Sequence, residues 1–390
     1  MTQRIELAWL LLCIGVAACY ASPSVAIRSD DKDPQVAFAA AELQKALQQV
    51  GCVLDSTAPD LSIVFDRFEL GMGPQSFRIR KEGPKVIRVV GGDSTGAMYG
   101  GLELAEQITL GKGVDAIQEK ARKPYVLRRG LKFNIPWDGR SPSYDDTGTA
   151  AQQNIPVMWE WAFWKSFLEI LARDRYNVLT LWTTHPYPGI VRLSRYPGVN
   201  YDDVCVIKRP LDTRDDLRHF DDMNVHDPNR FNMVKRISLD DKIAFWTKVF
   251  NYAQDLGIEV YVFHWNIYTF GAKGQYGITD TMDNPKTIDY MRYCIAEFLK
   301  TYPQIDGIGV TAGEHVGGRQ TAKMSIEQWL WQTYGQGVMD AKAADPDREI
   351  RFIFRQHMAN LSKIQEAFKD FDGPFNTGHK YARARLYFRR

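Results

Sequence analysis

The chain has few cysteines and no pattern among them. Its thiols, Cys13, Cys19, Cys52, Cys205 and Cys294, are widely spaced, and no CxxC pair occurs. That spacing argues against a zinc knuckle and a disulfide framework, so Cys52, Cys205 and Cys294 read as small core residues. Charge of one sign is not in excess: 49 Lys and Arg against 47 Asp and Glu leave a formal net charge of +2. Nothing in that balance asks for nucleic acid as a partner. The Arg-rich end (Arg383, Arg385, Arg389, Arg390) reads as a frayed terminus. The apolar run near the start, Leu7 to Ala18, is too short for a stable bilayer span. Arg4 precedes it and Ala21, Ser22, Ser24 and Ala26 follow, which is the order of a secretory signal; residues 1–26 are expected to be that leader. Val16-Ala17-Ala18-Cys19 also has lipobox form, which would make Cys19 a lipid anchor. Export, to a periplasm or outside the cell, is the expectation.

Two further motifs are missing. Gly91-Gly92-Asp93-Ser94-Thr95-Gly96 lacks the Lys-Ser/Thr ending of a phosphate loop and misses the dinucleotide spacing, so it reads as a tight packing turn. No His-Glu-x-x-His zinc motif occurs either. What is plentiful is aromatic: 10 Trp and 18 Tyr, suited to a large core or to a cleft whose flat faces stack on sugar rings.

Residues 27–123 read as a small α+β domain. Val36, Ala40, Leu43 and Leu47 recur at helical spacing, Leu61–Phe65, Phe77–Ile79 and Val86–Val90 read as strands, and Ser94 opens a second helix. Residues 124–390 change rhythm. Apolar strands at Leu131–Phe133, Val178–Trp182, Ile258–Phe263, Ile305–Val310, Ile350–Phe354 and Phe375–Tyr381 alternate with amphipathic helices. Ser238 with Asp241, and Ser325 with Gln328, predict capping boxes. A long Asp- and Arg-rich insertion, about 187–236, interrupts the series.

Continuous apolar strands predict a buried parallel sheet. An open doubly wound sheet would fit, but polar and aromatic residues cluster after every strand, as in an α/β protein of the (β/α)8 TIM-type barrel class. Six strands fall two short of that barrel, so the fold is expected to be incomplete at the carboxyl end. The strand ends supply Asn134, Asp138, Arg140, Trp182, His185, His264, Trp265, Asn266, Glu314, His315, Arg355, His357, Lys380 and Tyr381. A carboxyl group, neutral donors, cations and Trp faces together suit a sugar, particularly one bearing a carboxylate. Glu314, after a strand and a glycine, fits the acid that protonates a departing glycosidic oxygen; the alternative is a loop carboxylate paired with Arg319 or Arg355. Asp306, at the opposite end of that strand, reads as structural. His185, His264, His315 and His357 would suit a metal centre, or neutral imidazoles bonding hydroxyls; no metal and no cofactor is expected.

The order of a small α+β domain (closing on Val86 to Ile108) and a barrel, together with Asp306-Gly307-Ile308-Gly309-Val310-Thr311-Ala312-Gly313-Glu314, resembles the family-67 glycoside hydrolases, the α-glucuronidases. It is similar, more distantly, to the β-hexosaminidases. The resemblance implies exo-hydrolysis of a terminal sugar, uronic acids included, from a polysaccharide fragment, with Glu314 as general acid. It implies a carboxylate held by Arg355, Lys380 or Arg140, hydroxyls bound by His264 and His185, and Trp182 or Trp265 beneath the ring. The family's water-activating carboxylates would fall at or beyond Arg390, leaving Asp138 as the sole strand-end substitute. Two alternatives stand beside this reading: a metal-dependent hydrolase using the histidines, and a carbohydrate-binding protein without turnover.

Overall fold

The computed structural model describes residues 23–30, 32–66, 69, 71–141, 149–208, 225, 227–265, 268–311, 323–356 and 359–379. The apolar start, with Cys13 and Cys19, lies outside them. Two compact units divide the chain, residues 1–124 and 125–390. No helix among the described residues is long and apolar enough to cross a membrane.

In the first unit, strands β1 (Ser24–Arg28), β2 (Val53–Leu54), β3 (Leu61–Asp66), β4 (Phe77–Lys81), β5 (Val86–Gly91) and β6 (Lys120–Arg122) form one sheet in the order β2-β1-β3-β5-β4-β6. Helices α1 (Pro34–Gln49) and α2 (Ser94–Gly111) pack on it around Val25, Leu43, Leu47, Ile63, Val89 and Leu104. Val25 and Ala26, within the expected leader, are buried in β1, which pairs with both β2 and β3. The cap of α2 is Asp93 rather than Ser94, its carboxylate accepting from the Gly96 amide at 2.7 Å. The glycine turn is a packing turn: a Cβ on Gly92 would lie 2.2 Å from the Gly73 carbonyl.

In the second unit, β7 (Gly130–Asn134), β8 (Val178–Thr183), β11 (Glu259–Trp265), β12 (Gly307–Thr311), β13 (Arg351–Gln356) and β14 (Phe375–His379) form a six-stranded sheet in sequence order, every neighbouring pair parallel. Strand order never reverses, so the doubly wound alternative and its switch point do not apply. The sheet runs open from β7 to β14, and an eight-stranded closure is not observed among the described residues. Helices α4 (Trp161–Arg173), α6 (Leu239–Asp255), α7 (Pro285–Thr301), α8 (Ile326–Leu330), α9 (Gln336–Lys342) and α10 (Leu361–Ala367) fill the connections. The short α3 (Thr149–Asn154) and α5 (Tyr187–Ile190) precede α4 and follow β8. Ser325 and Gln328 form the expected capping box; Ser238 caps α6 by accepting from the Asp241 amide at 3.1 Å. Within the insertion, β9 (Val204–Ile207) and β10 (Phe231–Lys235) make an antiparallel hairpin, which the Asp- and Arg-rich composition did not announce.

Side chains alternate across the sheet. Phe133, Leu179, Leu181, Val260, Val262, Ile308, Val310, Phe352 and Phe354 belong to the helix-covered face; Phe133 meets Phe163, Trp164 and Phe167 of α4. The opposite face carries register rows. Lys132, Thr180, Tyr261, Gly307 and Arg351 make one; Asn134, Trp182, Phe263, Gly309, Ile353 and Asn376 the next; Trp265, Thr311, Arg355 and Gly378 the last. Gly309 is required by this stacking, because a Cβ there would lie 2.3 Å from the Phe263 ring, which itself stacks on Trp182 at 4.3 Å. Gly309→Val should therefore cost about 1–3 kcal/mol of stability, read as a lower urea midpoint at unchanged slope. An unchanged midpoint would show that Phe263 can leave without consequence.

Candidate active site

The carboxyl edge of the second sheet brings together Trp182, Trp265, Arg355 and a residue that strand-end reasoning missed, Lys132. The Lys132 ammonium stands 4.5 Å from the centre of the Trp182 ring and 5.4 Å from that of Trp265. The Arg355 guanidinium stands 5.4 Å from Trp182 and donates to the Thr311 hydroxyl at 2.9 Å. Cations over indole faces are attracted by the ring quadrupole. Trp182, Trp265, Tyr261, Phe263, Tyr268, Phe270 and Val225 pack into one cluster there. Lys132 is on the same face as Asn134, two residues on; that parity was the signal available in the sequence.

The histidines go elsewhere. His264 directly precedes Trp265 in β11, so alternation turns it to the helix-covered face, where its Nε2 pairs with the Tyr187 hydroxyl at 3.0 Å. His185 pairs through Nε2 with the Tyr290 hydroxyl of α7 at 2.9 Å. Both rings are wholly buried, and burial pushes both down to about 3, which keeps them neutral. The expectation that His185 and His264 bind sugar hydroxyls is therefore corrected: their reach is into the core. The strand was read to end at Phe263, and two further residues of β-structure reverse the direction assigned to His264.

Asp138 and Arg140 are also redirected. The carboxylate takes Nε and Nη2 of Arg140 at 2.8 Å each and the Cys205 amide at 3.1 Å; both side chains are buried. Burial works to lower the Arg140 guanidinium's pKa, but the bond and charge of Asp138 outweigh it and raise the value. With its donors turned to Asp138 and to backbone carbonyls, Arg140 is a structural cation here, and Asp138 a structural anion rather than a water-activating base. Asp306 is structural as expected: it accepts from the Val260 amide at 2.7 Å, and burial raises it to about 6. Asn134 sits half-buried beside Trp182 in the register.

Glu314, His315, Asn266, His357, Lys380 and Tyr381 lie outside the described residues. Among the described residues no His, Cys, Asp and Glu side chains gather as a metal site. Cys52, Cys205 and Cys294 are free and buried.

No family model and no curated protein matches the sequence. Solved structures do. A GH138 enzyme targeting pectin rhamnogalacturonan II superposes with a TM-score of 0.68 at 22% identity, over 92% of this chain and 48% of that one. The fold is one found in glycoside hydrolases. A mutant Streptomyces plicatus β-hexosaminidase in complex with its product GlcNAc gives 0.52 at 12% identity, over 92% of this chain and 70% of that one. A β-N-acetylhexosaminidase from Bacteroides fragilis gives 0.50 at 12% identity, over 94% and 66%. The distant likeness to β-hexosaminidases is thus met at the level of fold. The chain spans about half the length of the GH138 enzyme, 48%.

Proposed function

We propose that this protein is an exported glycoside hydrolase that removes a terminal sugar, a uronic acid, from polysaccharide-derived oligosaccharides, with Glu314 as general acid. One observation carries the reading: the aromatic and cationic cluster at the sheet's carboxyl edge, whose last row, Trp265, Thr311 and Arg355, contains Thr311, three residues before Glu314 in sequence. The exposed Lys132 and half-buried Arg355 favour a ring that carries a carboxylate, while Trp182 and Trp265, expected beneath that ring, are instead buried in the cluster and support the two cations. Arg355 and Lys132 beside Trp182 support the role of holding that carboxylate; Arg140 is committed to Asp138, and Lys380 lies outside the described residues. The α-glucuronidase resemblance supports an acidic sugar, and the GH138 neighbour, which targets pectin rhamnogalacturonan II, supports a polysaccharide source for it.

Nitrophenyl glucuronides and galacturonides, set against N-acetylhexosaminides, test the reading. Hydrolysis of a uronide is expected, with Arg355→Gln raising its KM about tenfold or more, the order of a lost charge-assisted bond. Release from the hexosaminides alone would overturn the acidic-sugar assignment. Glycan binding with no release from any of them would leave a carbohydrate-binding protein.

A further inference from the structure

Asp138 and Arg140 lose their expected place at the substrate, yet few side chains here are held by more bonds. Besides its fork on Asp138, Arg140 Nη2 reaches the Asp202 carbonyl at 2.9 Å and the Asp203 carbonyl at 2.7 Å, and the guanidinium lies 3.9 Å above the Tyr201 ring. The Gly139 amide donates to the Cys205 carbonyl at 2.7 Å. There is no room for a side chain between them: a Cβ on Gly139 would come within 2.9 Å of that carbonyl and 3.0 Å of the Ile207 amide nitrogen. Asp203 itself takes a left-handed backbone, φ 58°, and accepts from the Ile237 amide at 3.0 Å, pinning the far end of the insertion. The turn after β7 therefore grips the insertion where it enters β9 and, through Asp203, where it leaves toward α6. Past the grip, Ile207 and Val225 pack on the cluster of Trp182, Phe263, Trp265, Tyr268 and Phe270.

We propose that Asp138 and Arg140 are positioning residues: they anchor the β9–β10 insertion so that Ile207 and Val225 form a wall of the sugar site and set its affinity. The inference rests on the carboxyl edge being a carbohydrate site. A buried fork with four acceptors is a geometry that lysine cannot reproduce, because its ammonium is a point donor. Arg140→Lys keeps the charge beside Asp138 and loses the simultaneous hold on the carbonyls. Ile207→Ala trims the wall and leaves the anchor intact.

Hydrogen exchange without ligand and steady-state kinetics on the nitrophenyl uronides, with calorimetric binding of glucuronic and galacturonic acid where turnover is absent, test this. In Arg140→Lys, peptides covering β9 and β10 should exchange at least tenfold faster while α7 exchanges as in the wild type; KM or Kd should rise about tenfold, with kcat within twofold. Ile207→Ala should give the same rise in KM or Kd with exchange unchanged. Faster exchange with unaltered affinity, unaltered exchange, or a fall in kcat at constant KM would each overturn the proposal. A wild type that neither binds nor cleaves these sugars defeats the carbohydrate reading, and the wall's role with it. The exchange data still decide the anchor alone.

Discussion

Glu314→Gln is expected to lower turnover of a responsive uronide by about 10²–10⁴-fold while the affinity for the sugar changes little. Glutamine keeps the size of the side chain and its capacity to hydrogen-bond, but has no acidic proton for a leaving oxygen. A loss confined to kcat is the signature of an interaction made in the transition state, whereas a loss confined to KM would make Glu314 a binding residue. An aryl glycoside with a highly acidic leaving group should be hurt least, since its oxygen departs without a proton. Unchanged turnover on every substrate would remove Glu314 from the chemistry and return it to the reading of a loop carboxylate.

The second large effect concerns stability below neutral pH. His185 and His264 are wholly buried and held neutral with values near 3, against an ordinary 6.5. Their neighbours Tyr187, Tyr290 and Tyr334 and the thiol of Cys294 are pushed up by burial and stay neutral as well, so no anion among them rewards an imidazolium. Because the folded values are depressed, the unfolded chain binds more protons between pH 6.5 and about 3. The folded state is thus undiminished above pH 6.5 and loses ground as the pH falls through that window. By pH 4 each histidine costs about 3 kcal/mol at most. Asp306 acts the other way: raised to about 6, it holds its proton in the folded state and returns about 2 kcal/mol over the same interval. Two histidines outweigh one aspartate, so the urea midpoint should drop steeply from pH 6.5 to 4. Replacing His264 and Tyr187 together by Phe removes one titrating ring with its hydroxyl partner; His185 and Asp306 then nearly cancel, and the slope of stability against pH should fall most of the way to zero. A slope that does not move would mean that His264 is not the group being charged.

Much of the fold was readable because its determinants are local. Strands such as Val178–Thr183 and Gly307–Thr311 are short apolar runs between helices whose caps are spelled out, as at Ser325 and Gln328. The partition of the sheet into two faces was readable in principle and misassigned in practice. The residues following a strand were all taken to point at the substrate, but β11 continues through Trp265, and parity sends His264 and Trp265 opposite ways. Lys132 was passed over for the same reason, being inside a strand rather than after it. The Asp138–Arg140 anchor was beyond reach from sequence, since its partners lie more than sixty positions away, the carbonyls of Asp202 and Asp203 as acceptors and the Cys205 amide as donor, in a segment with no clear period.

Adjacent positions in β11 consequently answer to different neighbours. Trp265 is buried in the cluster of Trp182, Tyr268 and Phe270 on the other face, so a remodelling of that cluster could rewrite it while the packing behind remained intact. His264 is bound to Tyr187 and to the helix layer, and would persist through such a change. A lineage that acquired a new sugar through this sheet would diverge at every second residue and stand still between them.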